Sequence, residues 1–129
     1  MKKIALLFAM FVGIFATGCT ETDYAIIDYC NWEDYCGFRS YSQCSDTYYD
    51  YTYRAPGCDG AIIDMADAYN GLTCDAYRDY ASNVDPCYYW YDNGYRDLLD
   101  CQYAMDRVYE ADNQLRRCLF SYGVNFYGF

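Results

Sequence analysis

Side chains that can face a core recur at the three- and four-residue spacing of an amphipathic helix over about residues 95–120. The positions on this face are Leu98, Cys101, Met105, Val108, Asp112, Leu115, Leu119 and Tyr122. Asp97 and Asp100 stand near the start of the stretch, and Arg116 and Arg117 stand near its end. These charges complement a helix dipole. The pattern therefore predicts one long C-terminal helix.

A first helix is predicted over residues 23–36, because apolar residues share one face and Gly37 follows as a left-handed cap. Asp59 and Thr73 stand where each can cap a further helix. The predicted buried faces are Ile62, Met65, Ala66 and Tyr69 after the first cap, and Cys74, Tyr77, Ala81 and Val84 after the second. These segments predict a mainly α fold.

Three segments are less regular. Asp85 and Pro86 form a favoured cap and first-turn pair, which predicts a brief helix that ends at Gly94. The threonines and tyrosines of residues 47–53 favour a short strand, whereas residues 44–51 fit two further helical turns equally well. The tail, residues 122–129, is predicted to be a loop or an edge strand.

Cysteine compensates for a thin aliphatic core. Ile, Leu, Val and Phe are scarce after residue 18, whereas the chain contains 19 tyrosines and nine cysteines. With Cys19 set aside, an even set remains for disulfides in a small exported domain over residues 23–129. These cysteines are Cys30, Cys36, Cys44, Cys58, Cys74, Cys87, Cys101 and Cys118.

Helix geometry restricts the pairing of these cysteines. Cys101 and Cys118 lie on one predicted helix and would be about 25 Å apart, which is too far for a bridge. Gly37 is the midpoint between Cys30 and Cys44, and Gly94 is the midpoint between Cys87 and Cys101. Residues equidistant from the turn of an antiparallel hairpin face each other. The sequence therefore predicts Cys30–Cys44 and Cys87–Cys101 and leaves the other four cysteines unordered.

The first 19 residues have the pattern of an export signal. Lys2 and Lys3 precede a short apolar run, and Ala16 and Gly18 precede Cys19. This ending resembles the lipobox of bacterial lipoproteins. The resemblance implies cleavage of residues 1–18, acylation of Cys19, and a lipid-anchored domain that follows a very short linker, residues 19–22. In that family the residue after the cysteine affects sorting, and Thr20 favours the outer membrane of a Gram-negative host.

Charge limits the partners of the mature chain. Removal of residues 1–18 takes both lysines and leaves seven arginines against 19 carboxylates, a formal charge of −12. Such a chain repels nucleic acids and anionic headgroups. Apart from the membrane that holds the anchor, we expect a neutral or cationic envelope protein or glycan as partner, and no nucleic acid.

The residue inventory argues against most catalytic sites. The chain has no histidine and no pair of cysteines separated by two residues. Ser-His and Cys-His catalysis, zinc ribbons and thioredoxin-like redox sites are therefore not indicated. The scattered aspartates nominate no catalytic pair and match no calcium loop. We expect a protein that is not an enzyme and that uses neither a cofactor nor a metal.

Aromatic clusters offer a binding surface. The candidates are Tyr48, Tyr49, Tyr51 and Tyr53 in one cluster and Tyr88, Tyr89, Trp90 and Tyr91 in the other. Consecutive aromatic residues on one helix cannot all face a core, so some must be exposed, where they can stack on sugars or anchor proteins. The alternative is that tyrosine replaces leucine in the core.

The first functional hypothesis is a structural or protein-interaction role in the envelope, and the second is binding of peptidoglycan or surface polysaccharide. The third hypothesis is a secreted inhibitor or toxin-like scaffold, which acylation of Cys19 would disfavour.

Overall fold

The computed structural model describes residues 20–126 and folds them into five α-helices and one short 3₁₀ turn. The helices are α1 (Glu21–Cys36), α2 (Tyr41–Arg54), α3 (Asp59–Tyr69), α4 (Cys74–Ala81) and α5 (Leu98–Ser121), and the 3₁₀ turn is Pro56–Cys58. This part of the chain contains no strand. The predicted mainly helical fold and the long C-terminal helix are confirmed.

Side-chain caps fix where the first two helices begin. The Thr20 hydroxyl accepts a hydrogen bond from the backbone N–H of Asp23, whose carboxylate accepts one from the N–H of Thr20. Ser40 and Gln43 form the same capping box before α2. Gly37, with a φ of 79°, ends α1 in the left-handed conformation that glycine adopts without strain. The chain then turns back, and α1 and α2 form an antiparallel hairpin.

The predicted alternative of a strand at residues 47–53 is wrong, because this stretch lies within α2. A helix places Tyr48 and Tyr51 on one face three residues apart, and both side chains are buried. Cys44, one turn earlier, is joined to α1 by a disulfide. Burial and the cross-link thus outweigh the strand propensity of individual residues.

Two further local predictions are wrong in detail. Asp59 is the first residue of α3 and not its cap, because the 3₁₀ turn continues into the helix at Cys58. Residues 86–94 form a series of turns in place of a brief helix. By contrast, Thr73 caps α4 as predicted, since its hydroxyl accepts from the N–H of Ala76 at 3.1 Å.

Tyrosine supplies much of the core. The largest fully buried side chains are Tyr29, Tyr48, Tyr51, Tyr69, Tyr77, Ile26, Ile62, Met65, Leu115, Leu119, Glu33 and Val108. The ring of Tyr29 meets those of Tyr48 and Tyr69 edge to face, with centroids 5.2 and 5.4 Å apart. Such edge contacts are favourable. At these positions tyrosine replaces leucine, as the alternative interpretation expected.

Glu33 lies inside this aromatic core with only 1% of its surface exposed. The single Nε–H of Arg39 is shared between the two oxygens of the Glu33 carboxylate, at 2.9 and 3.0 Å, and Nη2 donates to Oε2 at 2.8 Å. The Tyr77 hydroxyl donates another at 2.8 Å. A buried carboxylate is tolerated when it is paired and hydrogen-bonded in this way. The group ties α1, the turn after Gly37 and α4 together.

A second buried carboxylate, Asp112, lies on the inner face of α5. Its Oδ2 accepts hydrogen bonds from the hydroxyls of Tyr69, at 2.7 Å, and Tyr80, at 2.6 Å. Burial raises the pKa of Asp112, while the two hydroxyls and the charge of Arg116 lower it by a smaller amount. Asp112 therefore links α3, α4 and α5 through polar contacts.

Four disulfides hold the elements together. The pairs are Cys30–Cys44, Cys36–Cys74, Cys58–Cys118 and Cys87–Cys101, with Cα atoms 5.3–5.7 Å apart. The first and last of these are the pairs that hairpin geometry predicts. The other two join segments that are distant in sequence, which is why local spacing could not order them.

The cross-links also define two ends of the helical bundle. The α1–α2 hairpin returns the chain to the level of Thr20 before Cys58 begins the path into α3. Cys58 is bonded to Cys118, so the last turns of α5 lie at that same end. α5 contains 24 residues and so extends about 36 Å. Its first turns therefore lie at the end opposite Thr20.

Candidate ligand-binding groove

Residues 85–95 are fastened to α4 and α5. The Cys87–Cys101 disulfide binds the segment to the first turn of α5. Asn93 is buried, and its side-chain amide donates to Oδ2 of Asp79 and to the carbonyl of Pro86, both at 2.8 Å. These contacts hold a non-helical segment in a defined position, and a groove lies between it and α5.

The groove has a volume of about 560 Å³ and is formed by two segments. Residues 85–90 contribute Asp85, Cys87, Tyr88 and Trp90, and α5 contributes Leu98, Gln102, Met105, Asp106 and Tyr109. Cys87 and Met105 are buried and form the floor. Tyr88 and Tyr109 are 74% and 48% exposed, so their rings remain accessible to a ligand. The volume falls within the range of small-molecule sites.

The sequence spacing on α5 explains its contribution to the groove. Gln102, Asp106 and Tyr109 follow one another at steps of four and three residues and therefore share one helical face. This face lies beside the buried face of Met105 and Val108. The helix thus buries one set of side chains in the core and presents the adjacent set to the groove.

Asp85 has both a structural and an electrostatic role. Its Oδ1 accepts a hydrogen bond from the N–H of Cys87 at 2.9 Å, which shapes the turn that carries Tyr88 and Trp90. Neither Asp85 nor Asp106 forms a salt bridge within residues 20–126. The pKa of Tyr109 is raised by burial and further by the negative charges of Asp85 and Asp106. Both carboxylates therefore contribute negative potential at Tyr109.

The predicted cluster at residues 88–91 contributes two of its four side chains. Tyr88 and Trp90 line the groove, whereas Tyr89 and Tyr91 are exposed outside it. The alternation follows from the turns of this segment, which place neighbouring side chains on different sides. Tyr89 packs edge-on against Tyr88, with ring centroids 4.7 Å apart, and so supports a lining residue from behind.

The predicted cluster at residues 48–53 does not form a binding surface as a whole. Tyr48 and Tyr51 are buried in the core, which corrects their assignment as candidate binding residues. Tyr49 and Tyr53 lie on the outer face of α2, and Tyr53 is 87% exposed. The 3.6-residue period of the helix separates the four tyrosines into these two groups.

Four polar or aromatic lining residues do not stand out as binding residues in the sequence, namely Asp85, Gln102, Asp106 and Tyr109. A usable signal existed, because the predicted Cys87–Cys101 bridge places residues 85–91 against the start of α5. Polar residues of α5 near Cys101 were therefore candidates to form a site together with residues 85–91.

Cys19, the predicted lipidation site, lies outside the described residues. Within residues 20–126 no helix is long and apolar enough to cross a bilayer. In the same part of the chain no three histidine, cysteine, aspartate or glutamate residues converge as metal ligands.

No protein family model, no curated protein and no solved structure matches this chain.

Proposed function

We propose that this protein is a lipid-anchored envelope protein that binds a glycan in the groove between residues 85–90 and α5. The observation that carries the proposal is the joint lining of this groove by Tyr88, Trp90 and Tyr109 together with Asp85, Gln102 and Asp106. Aromatic rings offer flat apolar faces on which sugar rings stack. Carboxylate and amide oxygens accept hydrogen bonds from sugar hydroxyls.

A concave site supports glycan binding over the broader hypothesis of a structural or protein-interaction role. A stable protein interface buries about 800 Å² on each partner. The groove is instead a local depression whose lining includes three aromatic side chains together with Asp85, Gln102 and Asp106. The exposed aromatic residues elsewhere, such as Tyr35 and Tyr103, do not line this depression.

Tyr109 also lines a second, separate depression of about 360 Å³, together with Tyr80, Asn83, Asp112 and Arg116. Because Tyr109 belongs to both linings, the two depressions are neighbours on the surface. This arrangement favours a chain of sugar units over a single monosaccharide.

The proposed anchor places the groove away from the bilayer. One residue, Thr20, separates Cys19 from α1, so acyl chains on Cys19 would hold this end of the bundle at the membrane surface. The groove lies along the first half of α5, toward the opposite end. An anchored molecule would therefore present its groove to the polymers of the envelope.

Intact mass of the protein extracted from bacterial membranes tests the anchor. We expect a chain that begins at Cys19 and carries two or three acyl groups. A chain with an unmodified Cys19, or one that retains residues 1–18, would contradict the anchor and leave the binding proposal to be tested separately.

Sedimentation with insoluble peptidoglycan, and titration with soluble envelope polysaccharides, test glycan binding of the full lipidated protein in detergent. We expect Trp90→Ala and Tyr109→Ala each to weaken binding about tenfold through loss of a stacking surface. Tyr53→Ala is the matched control, because it removes an exposed ring on α2 far from the groove. Absence of binding to every glycan, or equal losses in all three variants, would reject the proposal and favour a protein partner.

A further inference from the structure

The groove carries an uncompensated negative charge in addition to its aromatic walls. Asp85 and Asp106 both line it, and none of the described lining residues is an arginine. The five salt-bridge contacts within residues 20–126 involve Arg39, Arg54, Arg78 and Arg96, and none of them reaches either aspartate. A neutral sugar can donate hydrogen bonds to these exposed carboxylates, but it cannot balance their charges.

We infer that the groove recognises a cationic glycan, namely a polymer that contains de-N-acetylated amino sugars with free ammonium groups. This inference rests on the proposed glycan-binding function and specifies its ligand class. An ammonium group donates up to three hydrogen bonds and pairs with carboxylates such as Asp85 and Asp106. The sugar ring that carries it can stack on Tyr88, Trp90 or Tyr109.

Tyr109 lies where both charge pairing with the carboxylates and stacking of a sugar ring can occur. Tyr109 shares the groove lining with Asp85 and Asp106, and burial together with their negative charges raises its pKa. An ammonium group bound in this lining can pair with either carboxylate. The aromatic faces around it add a cation–π attraction, which is strongest where water is excluded.

The charge of the whole domain acts in the same direction. With 19 carboxylates and seven arginines after residue 18, the domain attracts polycations over about 10–30 Å at low ionic strength. Binding by the groove carboxylates must therefore be distinguished from attraction by the net charge of the whole domain. Asp64 supplies the required control, because it is exposed on α3 and lines a different depression together with Asp67 and Arg107.

The test compares β-1,4-linked glucosamine oligosaccharides with their fully N-acetylated counterparts of equal length, using calorimetric titration of the full lipidated protein in detergent. We expect the glucosamine oligosaccharide to bind about tenfold more tightly at low salt, with a smaller advantage at high salt. Asp85→Asn and Asp106→Asn should each remove most of that advantage. Asp85→Asn keeps an acceptor oxygen for the N–H of Cys87, so the turn can persist.

The outcomes separate this inference from the function on which it rests. Equal affinity for the two oligosaccharides, or tighter binding of the acetylated one, would reject the cationic ligand and retain glycan binding. A loss in Asp64→Asn as large as that in Asp106→Asn would reject the groove as the source of selectivity, because each variant removes one charge. Failure of both oligosaccharides to bind would reject the inference and, with no neutral glycan bound, the proposed function as well.

Discussion

The hydroxyl of Tyr69 donates a 2.7 Å hydrogen bond to Oδ2 of Asp112, which joins α3 to α5 inside the core. Tyr80 donates to the same oxygen at 2.6 Å, so one buried carboxylate orders two tyrosines. Asp112 is only 4% exposed. Its environment therefore makes the stability of the fold sensitive to the protonation of this group.

The contribution of Asp112 to stability should rise as pH falls. Because burial raises its pKa in the folded state, the folded chain takes up a proton at a higher pH than the unfolded chain does. The relevant window extends from the ordinary aspartate pKa of about 3.9 up to the raised value. Urea denaturation of the protein and of Asp112→Asn, at pH 7 and near pH 4.5, measures this effect. We expect the unfolding free energy of the unsubstituted protein, relative to that of the variant, to be larger near pH 4.5 than at pH 7. A smaller relative value near pH 4.5 would contradict the raised pKa.

Arg39→Met should destabilise the fold by about 3–5 kcal/mol, because it leaves the Glu33 carboxylate buried without its cation. Arg54→Met is the control, since Arg54 and Asp50 form an exposed ion pair whose loss costs about 0–1 kcal/mol. Thermal and chemical unfolding followed by circular dichroism measure both values. Equal losses in the two variants would show that the Glu33 pair does not support the core.

Two glycine substitutions should change stability in opposite directions. Gly37→Ala places a side chain at a φ of 79° and should cost about 1 kcal/mol. Gly60→Ala lies in α3 with open space around its Cβ position, so the alanine should stabilise the fold by about 0.4–1 kcal/mol. The midpoint of urea unfolding measures both effects. A stabilising Gly37→Ala would contradict the left-handed cap.

Removal of two disulfides with equal loop lengths separates binding from stability. Cys30–Cys44 and Cys87–Cys101 each span 14 residues, so replacing either pair by serine should cost a similar amount, about 3 kcal/mol in the chain-entropy account. Only Cys87→Ser with Cys101→Ser should abolish glycan binding, because it releases residues 85–90 from α5. We would compare the affinities of the two double variants at a temperature where both remain folded. Retained glycan binding in the variant that lacks Cys87–Cys101 would show that the groove does not need this cross-link.

Sequence patterns predicted the helices better than the sites. The buried face of α5 was recognisable because its core-facing residues from Cys101 to Leu119 recur at steps of three and four residues. Hairpin symmetry about Gly37 and Gly94 indicated the two short-range disulfides. Cys36–Cys74 and Cys58–Cys118 depend on how distant helices pack, and local spacing contains no such information.

The candidate groove was predictable only in part. Trp90 and Tyr88 stood out as aromatic residues in an unusual run, whereas Asp106 and Tyr109 look like ordinary solvent-facing helix positions. Asp106 and Tyr109 become part of the groove lining because the Cys87–Cys101 disulfide brings residues 85–90 beside them. Tyr48 was assigned to the surface because composition alone does not tell which tyrosines of a cluster face the core.

The two tryptophans of the chain allow the most direct test of binding in the groove. Trp90 lines the groove, whereas Trp32 is partly buried and packs against the core, with its ring centroid 5.1 Å from that of Tyr77. A ¹H–¹⁵N spectrum separates their indole N–H signals, and Trp90→Phe assigns them. Titration with the glucosamine oligosaccharide should move the Trp90 signal progressively and leave the Trp32 signal in place. An unchanged Trp90 signal at saturating oligosaccharide, or equal movement of both signals, would contradict a ligand site in this groove.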